Sequence, residues 1–262
     1  MILVTGASDG LGRHVAAELA RSGEQVIGHG RNPARLAELS GLGVDTVQAD
    51  LADLRQVDLL ADEILARYDR LDVLVNNAGI GAGADMSRRE ESADGIELRF
   101  AVNYLAGYHL TRRLVPLLKA SAPARVVNVS SVGQPAIDFA GPMLTRSYDG
   151  MRAYSQSKLA QIMFTIDLAE ELGDAGVTVN ALHPASMMPT TMVRETGMGF
   201  LSTLEEGGEA VLRRIRATDG LTGQYFNGSA ARPSAPNRQA LDPEARRKLR
   251  SLSDELVTSA LG

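Results

Sequence analysis

Apolar runs of three to six residues recur along the chain, and stretches with helical period separate them. Ile2–Val4 is the first run, and 25–28, 44–48, 71–75, 125–129 and 177–182 follow. Between them, 11–22, 33–40, 54–68, 96–118 and 154–172 place apolar residues three and four apart, as one face of a helix does. Residues 220–226 predict a further strand at the sheet edge. Strands rich in Val, Ile and Leu, each separated from the next by a helix, pair in parallel through right-handed crossovers. The expected fold is therefore α/β: a single doubly wound parallel sheet of about seven strands with helices on both faces. Pro116 is expected to kink or end its helix. Two irregular stretches interrupt the pattern, 134–152 and 185–203, the second carrying Met187, Met188, Met192 and Met198. The tail reads as a helix over about 243–260, with Asp242 as N-cap, Pro243 in the first turn, and Leu249, Leu252 and Leu256 at helical spacing. No linker, repeat or low-complexity tract divides residues 1–262, which read as one domain.

Composition narrows the function classes. With 44% hydrophobic and 23% charged residues, the chain is an ordinary globular protein with a substantial core. The formal charge of -5 disfavours nucleic acid and anionic membrane as partners. The chain has no cysteine, so disulfides, thiolate catalysis and Cys-ligated zinc are excluded, and a reducing cytoplasm is expected. His14, His29, His109 and His183 form no ligand-spaced pair, so no metal site is expected. The start of the chain carries neither a basic leader nor an apolar run long enough to cross a bilayer, which predicts a soluble protein without a membrane anchor.

The first strand runs into Thr5-Gly6-Ala7-Ser8-Asp9-Gly10-Leu11-Gly12. Gly6 permits a tight strand-to-helix turn, Gly10 allows backbone to approach a pyrophosphate, and Gly12 allows close helix packing. The helix start then offers free N–H groups and a positive dipole to phosphate. A glycine pattern alone is weak, but this one follows a strand and opens a helix, as a dinucleotide site does. At the end of the second strand, His29-Gly30-Arg31-Asn32 contains no carboxylate for a ribose diol. Arg31 suits bidentate grip on a 2′-phosphate, which points to NADP(H) rather than NAD(H). The plainer alternative for Arg31 is a solvated cation at a loop start.

Tyr154-Ser155-Gln156-Ser157-Lys158 places a phenol and an ammonium at i and i+4, on one helix face. A nearby ammonium favours phenolate and is expected to lower the Tyr154 pKa toward a useful range. By itself this spacing is common on surface helices.

Taken in order, Thr5–Gly12, Asp50-Leu51, Asn76-Asn77-Ala78-Gly79, Asn103, Val127-Asn128-Val129-Ser130-Ser131, Tyr154–Lys158 and His183-Pro184 resemble the short-chain dehydrogenase/reductase family, whose Rossmann-type fold the strand pattern fits. The resemblance spans about residues 1–190. It implies Tyr154 as general acid and base, Lys158 on the nicotinamide ribose, Ser131 as hydrogen-bond donor to the substrate oxygen, and Asn103 as holder of a relay water. Ser130 is the alternative active serine. It further implies Asp50 and Leu51 at the adenine, Asn77, Ala78 and Gly79 along the adenosine and ribose, and Gly6, Ser8, Asp9, Gly10, Leu11 and Gly12 at the phosphates. Pro184 and either Thr190 or Thr191 follow at the nicotinamide end. Subunit pairing into a homodimer or homotetramer is implied through the helices carrying Asn103 and Tyr154.

Two departures stand out. The family commonly has Pro-Gly after the sixth strand, where this chain has Pro184-Ala185; backbone contact to nicotinamide survives there if the local φ is negative. The separation of Ser131 from Tyr154 exceeds that of compact members and, like the ending around Gly223-Gln224-Tyr225-Phe226, resembles retinol-dehydrogenase-like members. Unlike their membrane-bound forms, this chain is expected to carry no N-terminal anchor. The segment 185–203 reads as an adaptable lid over an apolar substrate, or alternatively as a loosely packed surface helix. The expected function is hydride transfer between NADP(H) and a small carbonyl or alcohol substrate. The alternative is a non-catalytic NADP(H)-binding sensor or scaffold of the same fold.

Overall fold

A computed structural model describes residues 1–197 and 199–262. The first half runs β1 (Ile2–Val4), α1 (Gly10–Arg21), β2 (Val26–Gly30), α2 (Pro33–Ser40), β3 (Asp45–Gln48), α3 (Leu54–Arg67) and β4 (Val73–Asn76). Next come the short α4 (Leu98–Phe100), a π-helical turn at Ala101–Leu105, α5 (Ala106–Ala120), β5 (Ala124–Val129), α6 (Gly150–Leu172) and β6 (Val177–His183). The chain ends with α7 (Thr191–Arg194), α8 (Leu204–Ile215), β7 (Gln224–Asn227), α9 (Arg238–Leu241) and α10 (Pro243–Leu261).

The seven strands form one all-parallel sheet in the order β3-β2-β1-β4-β5-β6-β7. The order reverses between β1 and β4, so the carboxyl ends of these strands open a crevice there. One core packs α3, α5, α6 and α10 against the sheet through Leu60, Ile64, Leu114, Ile162 and Leu249. The other packs α1, α2 and α8 on the opposite face through Val15, Leu19, Leu39 and Val211. Burial on both faces is why the strands carry continuous apolar runs instead of alternating ones.

Several elements differ from the sequence expectation. Pro116 sits inside α5, which continues to Ala120. The proline falls so close to the end that the donor it lacks interrupts little of the helical ladder. Helix α6 begins at Gly150, because the Asp149 side chain caps it by accepting from Arg152 N at 2.7 Å. Helix α8 was not expected, although Thr203 and Glu206 form a reciprocal capping box at its start.

The resemblance puts subunit contacts on the helices carrying Asn103 and Tyr154. Here their outer face lies under α10 of the same chain. Tyr104, Tyr108 and Phe164 stack edge to face beside Leu249 and are buried. Tyr104 and Ser253 hydroxyls meet at 2.8 Å, Tyr108 donates to Asp254 at 2.6 Å, and Arg246 and Arg250 pair with Glu170 and Asp167 on α6. Within one chain, α10 thus covers the three rings. No helix among the described residues is long and apolar enough to cross a membrane.

Candidate active site

The glycine turn is shaped by steric necessity. Gly6 has φ 65°, and a Cβ there would lie 2.8 Å from the Ala78 Cα. A Cβ on Gly12 would lie 2.2 Å from the Gly6 carbonyl oxygen. Only glycine fits either place, which leaves a backbone-lined cradle at the crevice. Thr5 and Asn77 brace it: the Asn77 side-chain amide donates to Thr5 O at 2.8 Å, and Thr5 Oγ1 accepts from Asn77 N and Ala78 N at 3.0 Å each.

His29 adds a support that the sequence reading missed. Its Nδ1 accepts from Gly6 N at 3.3 Å, and its Nε2 lies 3.1 Å from Ala49 O. Burial drives the imidazole pKa down to about 4, so the neutral ring joins the glycine turn to the end of β3.

At the end of β2, a Cβ on Gly30 would lie 2.7 Å from Ser8 Oγ, so the Ser8 hydroxyl packs against the residue that precedes Arg31. Arg31 is exposed, and its guanidinium has no partner among the described residues. Asp50 closes a turn by accepting from Ala52 N at 3.0 Å, and Leu51 is buried against the same side of the cleft as Thr5 and Ala78. Asp9 is engaged three ways. It accepts from Gly10 N at 2.8 Å, from Arg35 at 3.0 Å and from the Thr191 hydroxyl at 2.7 Å.

Across the crevice, the Ser131 side chain faces the Tyr154 hydroxyl closely enough to favour its ionised form. Ser130 instead turns its hydroxyl into α6, donating to Lys158 O at 2.7 Å. Of the two serines, Ser131 is thus the one that meets the phenol. Tyr225, also missed as a site residue, donates its hydroxyl to Ser131 O at 3.2 Å.

Lys158 is only 3% exposed, and its ammonium donates to Val129 O at 2.9 Å and to Gln161 Oε1 at 3.1 Å. Burial lowers its pKa to about 7. The ammonium lies 5.9 Å from the Tyr154 ring centroid. Burial raises the Tyr154 pKa, with the Ser131 side chain opposing it. The expected depression of the phenol by Lys158 is therefore not seen, because the ammonium gives its donors to the β5 carbonyl and to Gln161. Gln161 went unnoticed in the sequence, although it lies one turn beyond Lys158 on the same face.

Asn103 falls in the π-helical turn, where the extra residue per turn re-aims side chains. Its Oδ1 accepts from Ile80 N at 2.7 Å, and its Nδ2 donates to Ile80 O at 3.1 Å and Ser157 Oγ at 3.0 Å. A Cβ on Gly79 would lie 3.3 Å from Asn103 Oδ1 and 3.4 Å from Lys158 Nζ. Asn103, Gly79 and Lys158 therefore share one corner of the cleft.

After β6, His183 Nε2 lies 3.0 Å from Ser186 Oγ, and buried Pro184 leads into the irregular segment. Ala185 stands outside the positive-φ residues, so the glycine usual at this point is not required by the backbone. Thr190 and Thr191 both reach the glycine turn: a Cβ on Gly10 would lie 3.1 Å from Thr190 Cγ2, and Thr191 bonds Asp9. The three described methionines of this segment do not act alike. Met188 is buried in the core beneath α8, Met192 lies against Gly81, and Met187 adopts φ 52°. Met198 lies outside the described residues. Among the described residues, no group of His, Asp or Glu is placed to hold a metal.

The comparisons agree with this geometry. The profile of the short chain dehydrogenase family matches residues 1–199. Mouse retinol dehydrogenase 13 is 35% identical over 99% of this chain and 84% of its own length. A crystal structure of an uncharacterized Mycobacterium paratuberculosis protein superposes with a TM-score of 0.80 at 29% identity, over 98% of this chain and 92% of that one. The NADP active-site complex of Pseudomonas aeruginosa RhlG superposes with a TM-score of 0.70 at 29% identity, over 86% of this chain and 93% of that one. The glycine turn at the sheet's reversal point, facing a tyrosine and a lysine one helical turn apart, is thus read the same way by sequence, geometry and kinship: this chain is a member of the short-chain dehydrogenase/reductase family, retinol-dehydrogenase-like in sequence.

Proposed function

We propose that the chain interconverts a carbonyl and an alcohol on a small apolar substrate with NADP(H) as preferred cofactor. Family membership already makes it an oxidoreductase acting on CH–OH or C=O groups. The observation that carries the finer reading is the gathering of Ser131, Tyr154 and Lys158 at one end of a glycine-lined cradle.

The residues present fit a dinucleotide. Gly6, Gly10, Leu11 and Gly12 leave room for phosphates at the start of α1, with Ser8 and Asp9 at their edge. Asp50, Leu51, Asn77 and Ala78 flank the adenosine side, and Gly79, Pro184 and Thr190 the nicotinamide side. When bound, the nicotinamide supplies or accepts the hydride. Tyr154 gives a proton to the substrate oxygen in reduction and takes it back in oxidation. Its raised pKa keeps the phenol protonated at neutral pH and suits the donor direction. Ser131, which faces the Tyr154 hydroxyl, stabilises developing alkoxide charge. Lys158, with a pKa near 7, sits at the balance point for passing a proton onward, and Asn103 lines the route between it and Ile80.

Arg31 supports NADP(H), since its guanidinium is uncommitted and a carboxylate is missing where a ribose diol would need one. The neighbour with bound NADP is consistent with that preference. Exposed Val132 beside Ser131, Met151 one turn before Tyr154, and Phe200 and Leu201 after β6 support an apolar substrate. The names of the relatives point the same way. We extend the reading to a single catalytic domain working in the reducing cytoplasm. Assembly as a homodimer or homotetramer would use a face other than the one under α10.

The deciding experiment follows NADPH and NADH absorbance with a panel of aldehydes, ketones and alcohols, beside binding titrations of wild type and Arg31→Ala. NADPH affinity is expected to fall by about tenfold in the variant while NADH affinity holds. Equal loss for both cofactors contradicts the 2′-phosphate role, and tight binding without turnover on any substrate contradicts the catalytic one.

A further inference from the structure

Asp9 is an odd residue for a phosphate-binding turn. Its carboxylate occupies three donors of the kind that grip phosphate: the first backbone N–H of α1, the Thr191 hydroxyl and the Arg35 guanidinium, at 2.8, 2.7 and 3.0 Å. These come from three separate elements. Gly10 opens α1, Arg35 lies in the first turn of α2, where Asn32 caps the helix through Arg35 N, and Thr191 opens α7 at a sequence distance of 182 residues. The neighbouring cation Arg13 is turned away toward Glu38.

We propose that Asp9 is an internal anion that holds the phosphate donors together between catalytic cycles and lowers affinity for the dinucleotide, thereby coupling cofactor exchange to release of the 185–203 segment. The proposal rests on the dinucleotide reading above.

The physical case has two parts. First, a carboxylate beside an anionic pyrophosphate repels it, and the donors it holds are not free to meet the newcomer. At 44% side-chain exposure the repulsion is screened but not abolished. Arg35 is the ion-pair partner of Asp9 and faces it from α2; α1 and α7 contribute an N–H and a hydroxyl there, not a countercharge. The carboxyl stays ionised, since the Thr191, Gly10 and Arg35 contacts outweigh its desolvation and hold its pKa below the usual range. Second, the Thr191 bond ties the segment that follows β6 directly to the glycine turn. An anion that draws Arg35 and the Gly10 N–H away from Asp9 loosens the same carboxylate that tethers Thr191. Cofactor arrival and freedom of the segment are then one event.

Asp9→Asn keeps size and removes charge, and Asp9→Ser keeps a helix-capping oxygen should the amide variant fold poorly. NADPH binding is followed through the coenzyme's own fluorescence. Both variants are expected to bind NADPH about threefold more tightly than wild type at low salt, with the gap closing as ionic strength rises. Unchanged or weaker binding overturns the proposal. A wild type with no affinity for either dinucleotide overturns the proposed function itself, and that result is separable from a variant effect. The tether is read without cofactor by limited proteolysis. Asp9→Ala, which removes the acceptor, and Thr191→Val should each speed cleavage within 191–203, and the double variant should be no faster than the singles. Cleavage rates equal to wild type, or fully additive, overturn the coupling.

Discussion

The floor of the cleft and the segment after β6 are built by opposite means. On the floor, Lys158, Asn103, Asn77 and His29 each hold at least two fixed partners, mostly backbone atoms of neighbouring strands or loops, and all but the half-buried Asn77 are buried. In 185–203, Leu201 is 78% exposed, Phe200 is touched by the Arg194 cation, and Met187 holds a backbone conformation that side chains rarely adopt. Groups that move protons must already be in place, because small errors of position cost rate steeply. Groups that choose a substrate gain from being able to repack. On the proposed function, these two demands fall on separate stretches of the chain.

Substitutions on the floor and in the segment should therefore fail in different currencies. The largest effect belongs to Tyr154→Phe, expected to lower kcat by about 10²- to 10⁴-fold with folding intact; a variant that turns over a confirmed substrate at the wild-type rate would remove the tyrosine from the chemistry. Next comes acid sensitivity through His29. Its folded pKa of about 4 lies below the ordinary 6.5, so an unfolded chain takes up a proton there that the folded chain refuses. The contribution is full above pH 6.5 and lost as pH falls toward 4, on the order of 3 kcal/mol. Urea midpoints measured across that range should fall less steeply for His29→Gln than for wild type, and parallel slopes would contradict this. The smallest effect on stability is expected from Leu201→Ser, within about 0.5 kcal/mol. Its KM for an apolar substrate should nonetheless rise by roughly threefold to tenfold, with kcat little changed. A drop in thermal midpoint without any change in KM would place Leu201 among structural residues instead.

What could be seen in the sequence follows the reach of the interaction. Gly6, Gly10 and Gly12, or Tyr154 and Lys158, act within a turn or two of one another, so spacing exposes them. The partners of those residues are set by the sheet order. Nothing near His29 signals that it will prop Gly6, and nothing near Asp9 announces Thr191. Gln161 is an intermediate case: its position one turn past Lys158 was readable, but its role depends on burial that only the packed helix supplies. Helix α6 hid its first turn for a related reason. It is buried around most of its circumference, so it lacks the apolar stripe by which amphipathic helices are recognised. The capping box of α8 was a local signal, legible and overlooked.

The position of α10 has a thermodynamic consequence. Because the cover over Tyr104, Tyr108 and Phe164 belongs to the same polypeptide, closing that face is a first-order event. Its contribution to folding does not weaken on dilution, as a cover supplied by a second molecule would. The helices that bear Asn103 and Tyr154 are thus held in register at any protein concentration, down to the single molecule.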